Sequence, residues 1–372
     1  AGGAYSTGSL ASVVHPQQDD EIIEVLPAVS GNRAELRALR ATLAKNPVDV
    51  DSALRLSSAY MEQARRDGDA RLAGRALAVL EPWPDPRRAP DAILLRLAGI
   101  QQYLHDFDAA RASLQVLVAR SPGNAQAWIT IATILRVQGK YAASDQACES
   151  LAGGGVRLYR EACLAENASL RGDFARARDS LDVLLRGQLP AETRNWLLTT
   201  LAENEMRAGR PASAERAYRD ALTQQRDGYT LMSFADFLLD QRRPAEALAL
   251  LAAEPRSDAV LLRIAVAGKQ SRAAGAEADI RELRDRMALA ALRPEARIAH
   301  AREEAMFTDS LGDGACAALD LARVNVSHQR EPLDLLLFAR VAKACGDGAA
   351  QREAAAVIAE TGLRDARIDA LR

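Results

Sequence analysis

Four histidines, at 15, 105, 300 and 328, and four cysteines, at 148, 163, 316 and 345, are the residues best able to do chemistry in this chain of 372. No two histidines have the spacing of a metal site. His300 with Glu303 and Glu304 could share one face of a helix. On an Arg-rich amphipathic helix such a pair reads as surface structure. H-E-x-x-H, G-x-S-x-G and the phosphate-binding G-x-x-x-x-G-K-[ST] are all absent. The triple glycine of AGGGVR (152–157) follows no strand, so it reads as a turn rather than a phosphate cradle. No catalytic residue, metal or cofactor is therefore assigned, and an enzyme is not expected. Net charge is −2 and the isoelectric point about 6.2, which argues against a nucleic-acid footprint. No apolar run is long enough to span a membrane.

The elements that carry these residues are helical. In NAQAWITIATILRVQGKYAASDQACESL (124–151), Trp128, Ile131, Ala132 and Leu135 recur at i, i+3, i+4 and i+7, which is one face of an α-helix. Gly139 ends that helix, and Ser144, Cys148 and Leu151 line a second one. Such a hairpin is too small to bury its own apolar faces, so it needs copies beside it. They are present. Leu94, Leu97, Ala98, Phe107, Ala110 and Leu114 precede it in the same register. Leu164, Ala165, Gly172, Phe174 and Ala177 follow, then Leu198, Leu201, Ala202, Gly209, Ala214 and Tyr218. Leu231, Phe234, Ala235, Leu238, Ala247 and Leu251 complete five matching units. Gly312 and Gly346 mark weaker copies further on, and 276–292 reads as the second helix of a drifted unit. The chain is 48% hydrophobic but 4% aromatic, and Ala, Leu and Arg dominate, as helices favour.

A period of about 34 residues with W-x2-L-[GA]-x2-Y, then A-x3-F, then P, resembles the tetratricopeptide repeat. The resemblance implies an all-α, right-handed α-solenoid of stacked helical hairpins. We expect about nine units over 31–372, secure over 91–253 and degenerate at both ends, after a flexible leader over 1–30. A seam, if there is one, falls at the Pro-rich 81–91 or at 268–276. Within the leader, 19–28 could form a short covering helix. The family also implies a concave groove lined by the first helix of each repeat. Carried onto this sequence, its lining is Gln102, Tyr103, Thr133, Arg136, Tyr159, Glu166, Trp196, Glu203, Arg207, Tyr229, Met232, Asp236 and Asp240. Ala132, Ala165, Ala202 and Ala235 fall where the two helices of a repeat cross. Tyr159, Trp196 and Tyr229 share one repeat position and should form a column, either as partner contacts or as packing between repeats. The Lys/Asn clamp that some members use for chaperone tails has no counterpart among the four lysines here.

In this register Cys148 and Cys163 lie at similar heights on antiparallel helices across a repeat boundary, as do Cys316 and Cys345. Both pairs are candidate disulfides. The alternative, natural in a cytoplasmic protein, is four small buried thiols. NAQAWITIATILRVQGKY, ADFLLDQRRPAEALALL and QREPLDLLLFARVA also resemble a group of exported bacterial tetratricopeptide proteins thought to accompany membrane proteins. A start at Ala agrees with a removed signal peptide or a trimmed start. The expectation is a periplasmic or otherwise exported scaffold that binds a protein or peptide segment in its groove. The alternative is an accessory subunit of an envelope transporter or enzyme complex, partnered with an envelope membrane protein.

Overall fold

The structure is a computed structural model that describes residues 33–67, 69–292 and 300–371. The expected leader and the short helix at 19–28 lie outside the described residues. Among the described residues there are α-helices and one 3₁₀ turn at Gly154–Val156, and no strand. After α1 (Arg33–Lys45), the helices pair as successive hairpins: α2 (Val50–Asp67) with α3 (Ala70–Val79), α4 (Asp91–Tyr103) with α5 (Phe107–Arg120), and α6 (Ala125–Val137) with α7 (Tyr141–Glu149). There follow α8 (Arg157–Leu170) with α9 (Phe174–Leu185), α10 (Ala191–Arg207) with α11 (Pro211–Gln224), and α12 (Gly228–Asp240) with α13 (Pro244–Leu251). The last pairs are α14 (Asp258–Ser271) with α15 (Ala276–Ala290), α16 (Ala301–Ser310) with α17 (Ala315–His328), and α18 (Pro332–Cys345) with α19 (Gly348–Thr361); α20 (Ala366–Asp369) is short.

The hairpins from α4 to α13 each reverse through one residue in the left-handed region. At Gly139, Gly172 and Gly209 φ is 73°, 91° and 72°. In each case the next amide returns to the helix: Lys140 to the Leu135 carbonyl at 2.8 Å, Asp173 to Ala168 at 2.9 Å, and Arg210 to Glu205 at 2.8 Å. This is the Schellman ending, which satisfies carbonyls the helix cannot. His105 and Arg242 hold the same place with φ of 61° and 59°, although a side chain there is strained. In the weaker unit at 301–328 the left-handed glycine is Gly314, not Gly312. The second helix then starts in one of two ways. Asp106 and Asp173 accept from the amides of Ala109 and Arg176, whereas Pro211 and Pro244 occupy the first turn, where no amide hydrogen is needed.

The reversal brings the paired helices together over small side chains. Ala132, Ala202 and Ala235 are fully buried and Ala165 is 3% exposed. Some boundaries are polar but satisfied. Asn167 donates to Ser144 at 3.0 Å and to Asp145 at 2.9 Å, and the Ser144 hydroxyl donates to the Ala132 carbonyl at 2.9 Å. Asn195 donates to the carbonyls of Ala221 and Gln225. The Pro-rich stretch 81–91 is tied to α5, because Arg120 donates to the Ala89 carbonyl and pairs with Asp91 at 2.6 Å. All four cysteines are bridged. Cys148 joins Cys163 with Cα atoms 5.8 Å apart, and Cys316 joins Cys345 at 4.8 Å. Each bridge links the second helix of one hairpin to the first helix of the next.

The stack also folds back on itself. The Arg330 amide donates to the Val137 carbonyl at 2.6 Å, and the Arg364 amide donates to Leu170 at 2.9 Å. Tyr141 and Leu170 are buried in one cluster with Val326, Leu335, Phe338, Leu363 and Ile368. Arg340 and Arg367 both reach Asp240, at 3.0 and 3.6 Å. The C-terminal helices therefore sit on the hairpin turns of α6/α7, α8/α9 and α10/α11.

Ala165→Leu should overpack the helix crossing and lower the free energy of urea unfolding by about 1–3 kcal/mol. Reducing Cys148–Cys163, which closes a loop with a sequence separation of 15, should cost about 3 kcal/mol in the chain-entropy view. Unfolding curves of Cys148→Ala/Cys163→Ala against the bridged chain measure it.

Candidate functional site

The first helices of successive hairpins face an internal channel. Its wider part, about 1060 Å³, is bounded by Arg65, Tyr103 and His105 on one wall and by Tyr229, Asp258 and Glu303 on the other. Gln102, Met232 and His300 also line it. A narrower part of about 390 Å³ runs past Thr133, Arg136, Glu166, Glu203, Arg207 and Asp236 to Arg302, Glu331 and Arg367. Tyr229 and Met232 border both.

The two ends of the lining helices differ. Their N-terminal ends are open. Tyr159 is 39% exposed and stacks on Trp196 with ring centroids 6.0 Å apart. Tyr229 is 61% exposed and does not extend that stack, because its hydroxyl donates to Glu203 at 2.7 Å. The C-terminal ends are engaged. Arg136 pairs with Glu166 at 3.1 Å and donates to Thr133, whose hydroxyl bonds the Ile129 carbonyl. Arg207 is 3% exposed and donates to Ser169 at 2.8 Å, so it acts from within the wall. Asp236 takes a two-pronged contact from Arg263 at 2.8 and 2.7 Å. Asp240 is covered by Arg340 and Arg367. On the other side of the lining, the Tyr103 hydroxyl donates to the Ala64 carbonyl at 3.0 Å.

Sequence reasoning did not find the opposite wall. Arg263, Arg302, Glu303, Glu331 and Arg367 come from drifted units. Arg263 lies on α14, the next first helix in the stack, whereas the places of Arg302, Glu331 and Arg367 depend on the fold-back, which leaves no periodic signal. The lining is thus rich in charge, yet most charges are matched. Arg302 lies against Asp334 at 2.5 Å and also against Glu331, which hold its guanidinium well above the usual value despite burial. His105 stacks on Phe107 with centroids 5.5 Å apart. Its imidazole is pushed down by burial and by the nearby Arg302 charge. Among the described residues no group of three metal-ligating side chains comes together.

Glu203 is the exception to this matching. Its surface is only partly covered, but it lies deep in a narrow channel where solvent is confined. Burial raises its carboxyl above the usual range, against the opposing pull of Arg207 and the hydrogen bonds from Tyr229 and Ser233. The Tyr229 phenol is in turn raised well above its normal value, chiefly by the Glu203 charge. A carboxyl with a raised folded-state pKa stabilises fully below its unfolded pKa, and that contribution is lost as pH rises through the folded value. Glu203→Gln should therefore remove part of the fall in stability on going from mildly acidic to neutral pH. Thermal midpoints of the two chains across that window check it.

No family model matches the chain. It is 29% identical over 170 residues to cellulose synthase operon protein C of Escherichia coli K12, an overlap of 45% of this chain and 14% of that protein. The chain thus meets a small part of that relative's length. A tetratricopeptide repeat protein from Parabacteroides merdae aligns at 15% identity over 58% of this chain and 83% of its own, with a TM-score of 0.47. A thermophilic tetratricopeptide protein from Thermus thermophilus aligns at 23% identity over 51% and 98%, with a TM-score of 0.40. A Rap protein complexed with competence and sporulation factor aligns at 12% identity over 91% and 92%, with a TM-score of 0.48. The recurring hairpin of about 34 residues, its left-handed turn and its small-residue crossing resemble those of the tetratricopeptide repeat.

Proposed function

We propose that this protein is a non-catalytic scaffold that holds an extended or helical segment of a partner protein in the open part of its channel. The observation that carries this reading is the aromatic surface at the N-terminal ends of the first helices, where Tyr229 borders the channel and Tyr159 and Trp196 lie outside its lining. Tyr159 and Trp196 form a stack at the N-terminal ends of the lining helices, and Tyr229 stands exposed on the next one. Rigid aromatics offer large contact area at low entropic cost and dominate many interfaces. Most of the charges below them are paired with one another. Trp196 is half-buried, so its packing role must be separated from a binding role.

A second reading, an accessory subunit of an envelope complex, is supported by the likeness to a protein named for a cellulose synthase operon. Both readings share an exported location. Two bridges that use all four cysteines suit an oxidising compartment. Among the described residues no helix is long and apolar enough to cross a membrane.

Trp196→Ala should weaken binding of the partner purified with the native protein from its envelope fraction by about 30-fold, the size of a 2 kcal/mol hot spot. The thermal midpoint should stay within a few degrees. A large fall in midpoint with unchanged affinity would return Trp196 to packing alone. Titration of the denatured, unreduced protein from that fraction should find no free thiol. Four free thiols would remove the physical support for export.

A further inference from the structure

The fold-back is not a random contact between surfaces. It follows the hairpin turns one by one. Thr361 lies over Gly139, where a Cβ would meet its methyl at 2.6 Å. Arg364 lies over Gly172, where a Cβ would meet its side chain at 2.8 Å, and Ala366 lies over Gly209 at 3.2 Å. Thr361 is the last residue of α19 and Ala366 the first of α20, so the short link between these helices passes from turn to turn. One stretch of chain therefore touches three neighbouring turns in order. Gly346, also left-handed, faces open space, so the close fit belongs to the seat and not to the turn type.

The seat also has chemistry. α6 ends at Val137 and α8 at Leu170, so their carbonyls lack helical partners. The amides of Arg330 and Arg364 satisfy them. The C-terminal ends of the lining helices carry partial negative charge, and arginines 330, 364 and 367 stand against them. Asp240 adds a full negative charge that Arg367 and Arg340 answer. Asp365 orients the contact: it accepts from the Arg367 amide at 2.9 Å and pairs with its guanidinium at 2.7 Å. Leu363 and Ile368, each 4% exposed, are the buried apolar anchors of this stretch, and Thr361 and Asp365 are buried beside them.

We propose that the turns at Gly139, Gly172 and Gly209, with Asp240, form a docking track for a short arginine-bearing segment, and that residues 361–369 are its built-in occupant. This segment acts as a strap that covers the charged half of the channel. An outside segment of the same chemistry, with an amide for the Leu170 carbonyl and a cation for Asp240, takes the track when the strap leaves. The proposal does not depend on the aromatic surface, because strap opening can be read without any partner.

The test uses the full chain. Hydrogen exchange should show the amides of 361–369 opening at least tenfold faster than those of α4–α13. Gly172→Ala should speed strap exchange a further tenfold, whereas Gly346→Ala, with the same backbone strain but no neighbour, should not. A fluorescent peptide of residues 361–371 should bind Arg364→Ala/Arg367→Ala at least tenfold more tightly than the unaltered chain, whose own strap competes. Adding Asp240→Asn to that variant should weaken binding. Exchange of the strap only together with the hairpin helices, or no peptide binding to the double variant, would overturn the proposal.

Discussion

The hairpins from α4 to α13 each depend on one left-handed residue. With it, the chain reverses in a single step and the two helices can cross over an alanine. Without it, the turn would lengthen, the helices would separate, and the buried small residues would face a gap. The same residue has an outward effect. A glycine at the turn has no Cβ, so the edge of the stack is bare backbone. Other parts of the chain can approach that edge closely, as Thr361 and Arg364 do at Gly139 and Gly172. Where the turn residue is His105 or Arg242, the edge carries a side chain. Stacking and fold-back thus share one cause.

Polar residues set the register of the stack and the charge of the channel wall. In a stack held by alanine and leucine alone, adjacent repeats could slide. Asn167 against Ser144, and Thr199 against Thr230 at 2.8 Å, make the boundaries directional. Further out, Glu215 is held low, to about 2, mainly by the hydrogen bond from Arg243 of the next repeat. Such exposed pairs add little stability each. Within the channel the same habit of pairing arginine with acid neutralises the wall at its deep end. In the function proposed above, recognition falls to the exposed aromatics and, at the proposed docking track, to backbone carbonyls at helix ends.

Much of this was legible in the sequence. Gly139, Gly172 and Gly209 mark turns because an unfavourable backbone angle selects glycine, and Ala132, Ala165, Ala202 and Ala235 mark crossings because a larger residue would not fit. Those constraints act within one repeat, so a period of about 34 shows them. The turns at His105 and Arg242 carry no such mark, since other interactions tolerate the strain there. Groove positions were harder. Family position placed Arg136, Glu203 and Asp236 on the channel, and they line it. Position could not show that their partners are largely intramolecular, or that Arg207 is buried. The fold-back was illegible. It joins Val137 to Arg330 and Leu170 to Arg364 through backbone groups, which every residue has, across separations no repeat period encodes.

The two disulfides lie at meaningful places in this closure. Cys148–Cys163 ties α7 to α8, between the turns that carry Gly139 and Gly172. It therefore holds fixed the spacing between the Val137 and Leu170 carbonyls. Cys316–Cys345 ties α17 to α18, the helices that flank Arg330 and bear Arg340. It holds the opposing donors in place. A stack of repeats is springy along its length, because each unit touches only its neighbours and small rotations add up. A closure that must match donors to carbonyls over several repeats would be sensitive to that drift. Covalent links at one boundary on each side remove drift where the two surfaces meet and leave the remaining boundaries free to flex. The bridges thus bear on the geometry of the channel floor as well as on the unfolded chain.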